Sequence, residues 1–171
     1  MYGLETSIMA PLVNAVSIHT GRPFFPDDVR AALQEVPERR VLVTTPVHLH
    51  ACVKAGLCWP EIAWLISATA PLSLELAAQA EAAFNAPVLE IYGCTEAGSI
   101  ASRHTLSGDR WRVYDGFKLA EGELSGAHLP EPVILGDVVE AYSATEFRLL
   151  GRSEDLINIA GKRSSLAYLN H

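Results

Sequence analysis

Two short polar segments of the chain contain residue types that can bind a nucleotide. They are residues 67–72 and residues 92–96, and each ends or follows a short apolar run. Tyr92 offers a flat ring to a base, Thr95 a hydroxyl to a phosphate, and Glu96 a hard oxygen ligand to Mg²⁺. An ordinary polar turn at the end of a strand explains the same residue types, so both interpretations stand at this point.

The elements around these segments alternate between strands and helices. Apolar runs at residues 41–44, 64–67 and 88–92 predict three strands, and helices are predicted between them at residues 45–56 and 71–84. Such alternation predicts right-handed crossovers and a mostly parallel sheet. Because ligands bind beyond the carboxyl ends of the strands in such a sheet, we expect both polar segments at the same edge.

The character of the chain changes after about residue 98. Short extended pieces there alternate with Gly-rich turns, which predicts an antiparallel sheet or an open barrel. Upstream, helical spacing is found at residues 5–18, and Pro26 opens a further helix. The predicted fold class is α/β, with a parallel-sheet subdomain followed by a smaller, barrel-like antiparallel β subdomain.

Composition and charge exclude several classes of protein. The chain has 171 residues, of which 49% are apolar, and a formal net charge of −7. This length predicts one domain or two small ones, and the apolar content argues against disorder. The acidic balance argues against a broad nucleic-acid surface, which needs a positive face.

The sequence also indicates the cellular compartment of the protein. The first basic residue is Arg22, so the start lacks the basic region of a signal peptide. The apolar stretch at residues 8–18 is too short to span a bilayer. Cys52, Cys58 and Cys94 are odd in number and form no disulfide framework. We therefore expect a cytoplasmic protein.

Five segments form an ordered set of motifs. They are Met-Tyr-Gly-Leu-Glu at 1–5, Ser-Ala-Thr-Ala-Pro-Leu at 67–72, Tyr-Gly-Cys-Thr-Glu at 92–96, Gly-Asp at 136–137 and a Gly-Arg-rich run at 150–163. In this order they resemble the motifs of the adenylate-forming superfamily, which contains acyl- and aryl-CoA synthetases, nonribosomal peptide adenylation domains and luciferases. The segment at 92–96 is similar to the superfamily motif Tyr-Gly-x-Thr-Glu.

The resemblance implies a nucleotide-binding role for several matching residues. Tyr92 would stack on adenine, and Gly93 lies in the same motif, where it permits close approach of the backbone. Thr69 and Ala70 would line the adenine pocket through backbone atoms. Asp137 would accept hydrogen bonds from the two ribose hydroxyls.

The resemblance also implies the candidate catalytic residues Thr95 and Glu96. Thr95 would bind the α-phosphate, and Glu96 would help to hold Mg²⁺. Arg152 would bind ribose or phosphate oxygens with its permanent charge. Glu154 falls at the hinge between domains, where the superfamily usually has Asp or Lys.

The resemblance places the chain in the later part of the superfamily's large N-terminal domain. Residues 1–98 would form a partial α/β adenine-binding subdomain, residues 99–151 a β subdomain, and residues 152–171 the hinge and the start of a C-terminal domain. The superfamily's Gly-rich phosphate loop and C-terminal catalytic Lys have no counterpart in the sequence. We therefore expect a fragment that is itself inactive in adenylation.

The implied chemistry has two halves. A carboxylic acid attacks the α-phosphate of ATP to give an acyl-adenylate and pyrophosphate, and a thiol then displaces AMP. The ending of the sequence resembles acyl- or aryl-CoA synthetases, so coenzyme A is the expected acceptor, with a carrier-protein thiol left open. The small side chains near the motif leave room for an aryl or medium acyl group; the candidate residues of the acyl pocket are Tyr2, Gly3, Ile66, Ala68, Ala97 and Gly98.

Alternative interpretations remain at this stage. The same fold can serve as a noncatalytic module that binds a nucleotide or an acyl group. A third reading is a structural partner, because a partial domain exposes apolar surface and is expected to form homo-oligomers. His48 and Cys52 share one helix face, but no paired Cys-x-x-Cys accompanies them, which argues against a zinc site.

Overall fold

The computed structural model describes residues 2–37 and 39–152, together with the backbone of Leu156–Ile159 and Lys162–Ser165. Glu154, the predicted hinge residue, lies outside this part, and so do several other residues of the Gly-Arg-rich run. For Arg152 the structure describes the backbone only. Across the described residues, no helix is both long and apolar enough to cross a membrane.

Helices and strands alternate in the first part of the chain and strands dominate the second. The helical segments are α1 (Tyr2–Leu4), a π-helical turn (Glu5–Met9), α2 (Ala10–Val13), α3 (Pro26–Glu35), α4 (Pro46–Lys54), α5 (Leu74–Phe84) and a 3-10 turn (Thr105–Ser107). The strands are β1 (Val41–Thr44), β2 (Trp64–Ser67), β3 (Val88–Cys94), β4 (Gly98–His104), β5 (Arg110–Val113), β6 (Phe117–Ala120), β7 (Glu123–Gly126), β8 (Val133–Ile134), β9 (Asp137–Ala141), β10 (Glu146–Arg152), β11 (Leu156–Ile159) and β12 (Lys162–Ser165).

Local capping signals explain where the helices start and end. The Thr45 hydroxyl accepts a bond from the His48 N–H at 3.4 Å, at the start of α4. α5 begins at Leu74, three residues after the predicted start, because the Ser73 hydroxyl caps it by accepting from the Leu76 N–H at 3.2 Å. Asn85 ends α5 in the left-handed conformation that this residue type tolerates.

One mixed sheet of seven strands runs through both parts of the chain. Its order is β1-β2-β3-β4-β5-β10-β9, with β1, β2 and β3 parallel and the remaining neighbours antiparallel. A separate three-stranded antiparallel sheet has the order β6-β7-β8. The α/β fold class with a smaller antiparallel sheet is therefore confirmed, and the large sheet continues through Gly98.

Two apolar cores hold these layers together. The first lies between the parallel strands and helices α3, α4 and α5, with Leu49, Leu65 and Val88 fully buried. The second lies between the antiparallel strands and the small sheet, with Leu124 and Phe147 fully buried. Burial of this kind, at roughly 1.5–3 kcal/mol for each large side chain, is the main stabilising term.

In the part of the chain that the structure describes, helices α3, α4 and α5 pack on one face of the parallel strands. Leu65 and Val88 are register partners that point into the first core. Side chains alternate along a strand, so Val41, Val43 and Trp64 lie on the opposite face. They are 47%, 37% and 43% exposed, respectively. We call Val41, Val43 and Trp64 the open face of the sheet.

Candidate functional site

A cleft of about 550 Å³ opens where β2 and β3 end. Its walls come from α1, the β2–α5 loop, the β3–β4 hairpin and the segment from β8 to β9. The lining residues are Tyr2, Ala68, Thr69, Ile91, Tyr92, Gly93, Cys94, Thr95, Glu96, Gly98, Ser99, Ile134, Gly136 and Asp137. This volume falls within the range of small-molecule sites.

The cleft brings together most of the residues that the motifs singled out. Tyr2, Ala68, Thr69, Gly98 and Asp137 line it together with the Tyr-Gly-Cys-Thr-Glu segment. They come from separate parts of the sequence, and the sheet edge unites them as the parallel strand order predicts.

Other predicted residues do not line the cleft. Gly3 and Ala70 are absent from its walls, and Ala97 lines a neighbouring hollow instead. The backbone of Arg152 pairs in register with Asp137 across β10 and β9, which places this strand position beside the cleft. Sequence reasoning missed Ser99 and Ile134, because neither lies in a segment with a motif.

The phenol of Tyr92 joins two of the motifs directly. Its hydroxyl donates to Asp137 Oδ2 at 2.7 Å, although the two residues are 45 positions apart. The Tyr92 ring also packs near Trp111 and Phe147, with centroid distances of 5.6 Å and 5.7 Å. The ring and the carboxylate therefore form one ordered wall of the cleft.

The β3–β4 hairpin carries the Tyr-Gly-Cys-Thr-Glu segment. A register shift occurs between Tyr92 and Gly93, and Gly98 opens β4 with a φ of 75°. A Cβ atom on Gly93 would lie 2.2 Å from the Gly98 carbonyl oxygen, so only glycine fits there. Irregularities of this kind re-aim side chains at the edge of a site, here Thr95 and Glu96.

The N-terminal helical segment is attached to the same hairpin. The carboxylate of Glu5 accepts a hydrogen bond from the Ser99 N–H at 3.0 Å and a second one from the Ser99 hydroxyl. Glu5 follows the aromatic-Gly motif, so these bonds hold Tyr2 at the rim of the cleft. Sequence reasoning assigned no role to Glu5.

A smaller hollow of about 410 Å³ adjoins the cleft beyond the hairpin. Its walls combine apolar side chains with three ionisable groups. The lining residues are Glu5, Met9, Glu96, Ala97, Gly98, Ser99, Phe117, His128, Leu129 and Pro130. Glu96, Gly98 and Ser99 are common to both hollows, so the two spaces meet at the hairpin.

The charged groups of the cleft are acidic. Glu96 and Asp137 line it, and its walls contain no Lys, Arg or His in the described part of the chain. No set of three or more His, Cys, Asp or Glu among the described residues is placed to hold a metal ion. Mg²⁺ usually takes one or two carboxylates together with phosphate oxygens, so Glu96 fits a metal that arrives with a nucleotide.

Burial also affects the thiol in the motif. Cys94 is half-buried in the cleft wall, and this desolvation raises the pKa of its thiol. Hydrogen bonding to the Glu96 carboxylate acts in the same direction, whereas backbone hydrogen bonds from Ala97 and Glu96 oppose it. The thiol is therefore held in its neutral form over a wider pH range.

Solved structures of acid ligases share this fold. The anthranilate CoA ligase AuaEII, in complex with anthranoyl-AMP, matches with a TM-score of 0.74 and 16% identity over 96% of this chain and 40% of that chain. ATP-bound MatB from Rhodopseudomonas palustris matches with a TM-score of 0.66 and 20% identity over 85% of this chain and 37% of that chain. Coronafacic acid ligase from Pectobacterium brasiliense matches with a TM-score of 0.62 and 16% identity, over 82% of this chain and 35% of that chain.

Comparisons at the level of sequence add nothing to this likeness. No protein-family model matches the chain, and no curated protein is significantly similar to it. Because the sequence identity of the structural matches is low, they establish the fold alone. The chain spans well under half the length of the solved structures that it matches.

Proposed function

We propose that this chain, which has the fold of the adenylate-forming enzymes, is part of an ATP-dependent ligase that joins a carboxylic acid to a thiol. An oxygen of the acid attacks the α-phosphorus of ATP, the bond to pyrophosphate breaks, and an acyl-adenylate forms. The sulfur of the thiol then attacks the acyl carbon, and AMP leaves. In this proposal the chain supplies the adenosine-binding wall and the metal-binding carboxylate.

The observation that carries the proposal is the composition of the cleft. Thr69, Tyr92, Thr95, Glu96 and Asp137 all line it, and the motif resemblance assigns each of them to the nucleotide or its metal. Tyr92 offers its ring to adenine and Asp137 its carboxylate to the ribose hydroxyls. Thr95 donates to the α-phosphate, and Glu96 holds the Mg²⁺ that accompanies it.

The acid and the thiol are assigned by position and by resemblance. Ala97 and Gly98 lie where the cleft meets the smaller hollow, and the small size of these residues suits an aryl or medium acyl group. Tyr2 is at the rim of the same space, and Gly3 follows it in the aromatic-Gly motif. We propose coenzyme A as the thiol and the cytoplasm as the location.

Titration with AMP by calorimetry tests the proposal, with Asp137→Asn as the main variant. Loss of a hydrogen bond to a charged group costs about 1.5–3 kcal/mol, so we expect affinity to fall by about 10- to 100-fold. Asp115→Asn is the control, because Asp115 is exposed and does not line the cleft. Absence of AMP binding by the unaltered chain contradicts the proposal that this cleft holds a nucleotide.

A noncatalytic nucleotide-binding module is the second candidate, and one observation favours it for the isolated chain. Charge develops on phosphate oxygens during adenylation, and catalysis depends on cations placed around them. The described cleft walls provide none. The exchange of pyrophosphate into ATP separates the two candidates: the module binds AMP without exchange, whereas a competent enzyme shows exchange that depends on the supplied acid.

A further inference from the structure

Glu90 is a buried carboxylate at the centre of β3, and the proposed chemistry does not use it. Only 2% of the residue is exposed. Its Oε1 accepts the Leu72 N–H at 3.0 Å, and its Oε2 accepts from Arg103 Nε at 2.8 Å and from the Thr105 hydroxyl at 3.1 Å. The carboxylate therefore connects three segments of the chain.

Three hydrogen bonds, one of them part of an ion pair, compensate the buried charge of the Glu90 carboxylate. An ionised carboxylate in the interior is tolerated only with a partner and with hydrogen bonds to its remaining lone pairs. Arg103 is that partner, and its guanidinium carbon also lies 4.6 Å from the centroid of the Trp111 ring. Because Arg103 and Thr105 both donate to Oε2, the carboxylate is oriented with Oε1 towards the Leu72 N–H.

The bond to Leu72 acts on the loop that forms one wall of the cleft. Ala68 and Thr69 line the cleft, and Leu72 follows them before α5 begins. Thr69 has a φ of 82°, a left-handed conformation that is strained for a β-branched residue. Such strain persists only where surrounding contacts determine the backbone, and the bond from Leu72 to Glu90 is one of those contacts.

We infer that Glu90 is a positioning residue that holds the β2–α5 loop in the shape required by the nucleotide. Tyr92 lies two residues further along the same strand, so Glu90 links the β2–α5 loop to the strand that carries Tyr92. The inference rests on the proposed function for its ligand. Its geometric basis, the hydrogen bond from the Leu72 N–H to the Glu90 carboxylate, is independent of that function.

Glu81 provides a matched comparison in the same molecule. Its Oε1 accepts the Val88 N–H at 2.7 Å and lies 2.7 Å from His104 Nε2. This carboxylate, like that of Glu90, joins a backbone N–H to a basic side chain of β4. It does so at the start of β3, and it does not line the cleft.

The experiment compares Glu90→Ala, Glu90→Gln and Glu81→Ala by AMP calorimetry and by amide hydrogen exchange at Leu72. We expect Glu90→Ala to weaken AMP binding at least tenfold and to accelerate exchange at Leu72. Glu90→Gln keeps one acceptor oxygen for the donors of Leu72, Arg103 and Thr105, so we expect it to lie between Glu90→Ala and the unaltered chain in both measurements. Glu81→Ala lowers thermal stability but leaves AMP affinity and Leu72 exchange close to those of the unaltered chain.

Two results overturn the inference. The first is an equal loss of AMP affinity in the Glu81 and Glu90 variants, which means that Glu90 acts through general stability. The second is unchanged amide exchange at Leu72 in both Glu90 variants, which means that other contacts hold the loop. If the unaltered chain does not bind AMP, the proposed function fails, and exchange at Leu72 alone then decides whether Glu90 positions the loop. Glu90→Gln keeps the shape of the side chain, so the test remains available if Glu90→Ala does not fold.

Discussion

Cys94 shows how one residue of the cleft responds to its surroundings. Burial raises the pKa of its thiol, and the thiolate is the reactive form of cysteine. At a given pH the half-buried Cys94 therefore has a smaller reactive fraction than an unperturbed thiol. Cys58 is exposed, so its alkylation rate reports how fast a solvent-accessible thiol of the same chain reacts.

We predict that iodoacetamide alkylates Cys94 more slowly than Cys58 at mildly alkaline pH. The rate at Cys94 should continue to rise with pH after an unperturbed thiol has levelled off, because its ionisation is delayed. AMP should slow alkylation of Cys94 alone, since this residue lines the cleft. Mass spectrometry of the two peptides measures both rates, and equal protection of Cys58 by AMP would contradict the location of the site.

Among the elements, the β3–β4 hairpin is tightly packed at Gly93. The atoms facing Gly93 are backbone atoms of Gly98 and Ser99, and backbone atoms cannot move aside as a flexible side chain can. The hairpin also carries Thr95 and Glu96 at its turn. The packing of one glycine therefore controls the orientation of the proposed metal and phosphate ligands.

We predict that Gly93→Ala lowers the free energy of unfolding by about 3 kcal/mol, at the upper end of typical overpacking costs. Urea denaturation measures this loss. Gly3→Ala is the control, because a Cβ atom on Gly3 meets nothing within 4 Å and alanine favours the helical conformation there. A Gly93→Ala chain as stable as the unaltered one would show that the hairpin is looser than described.

At the scale of the whole molecule, the described residues leave one face of the parallel strands exposed. Among the described residues, helices cover one face of the parallel strands, whereas the open face of Val41, Val43 and Trp64 is exposed and includes two residues of the edge strand β1. Contiguous apolar surface at an unpaired edge favours association. For the isolated chain, we propose a second copy of the chain as the partner for this face.

We predict that the isolated chain forms dimers or larger assemblies, and that Val41→Lys with Val43→Lys shifts them towards the monomer. A charge on each strand position opposes burial of the face. Val47→Lys is the matched control, because Val47 is an exposed valine on α4, away from the open face. Light scattering over a range of concentrations is the measurement, and a monomer at every concentration contradicts the prediction.

The sequence by itself determined the alternation of strands and helices between residues 41 and 94. The strand at Val41–Thr44 and the helix start at Pro26 agree with the structure, because both depend on neighbouring residues: an apolar run in one case, and proline with acids in the first turn in the other. The motifs also indicated one site, since the carboxyl ends of neighbouring parallel strands meet at one edge of the sheet.

Only the tertiary structure decided which distant side chains meet. A glutamate within an apolar strand gives no local sign of its partner, so the bonds of Glu90 to Leu72 and Arg103 were not predictable. The same holds for the bond from Tyr92 to Asp137 and for that from Ser99 to Glu5. These contacts depend on the register of strands and the path of loops, which long-range packing sets and local spacing does not encode.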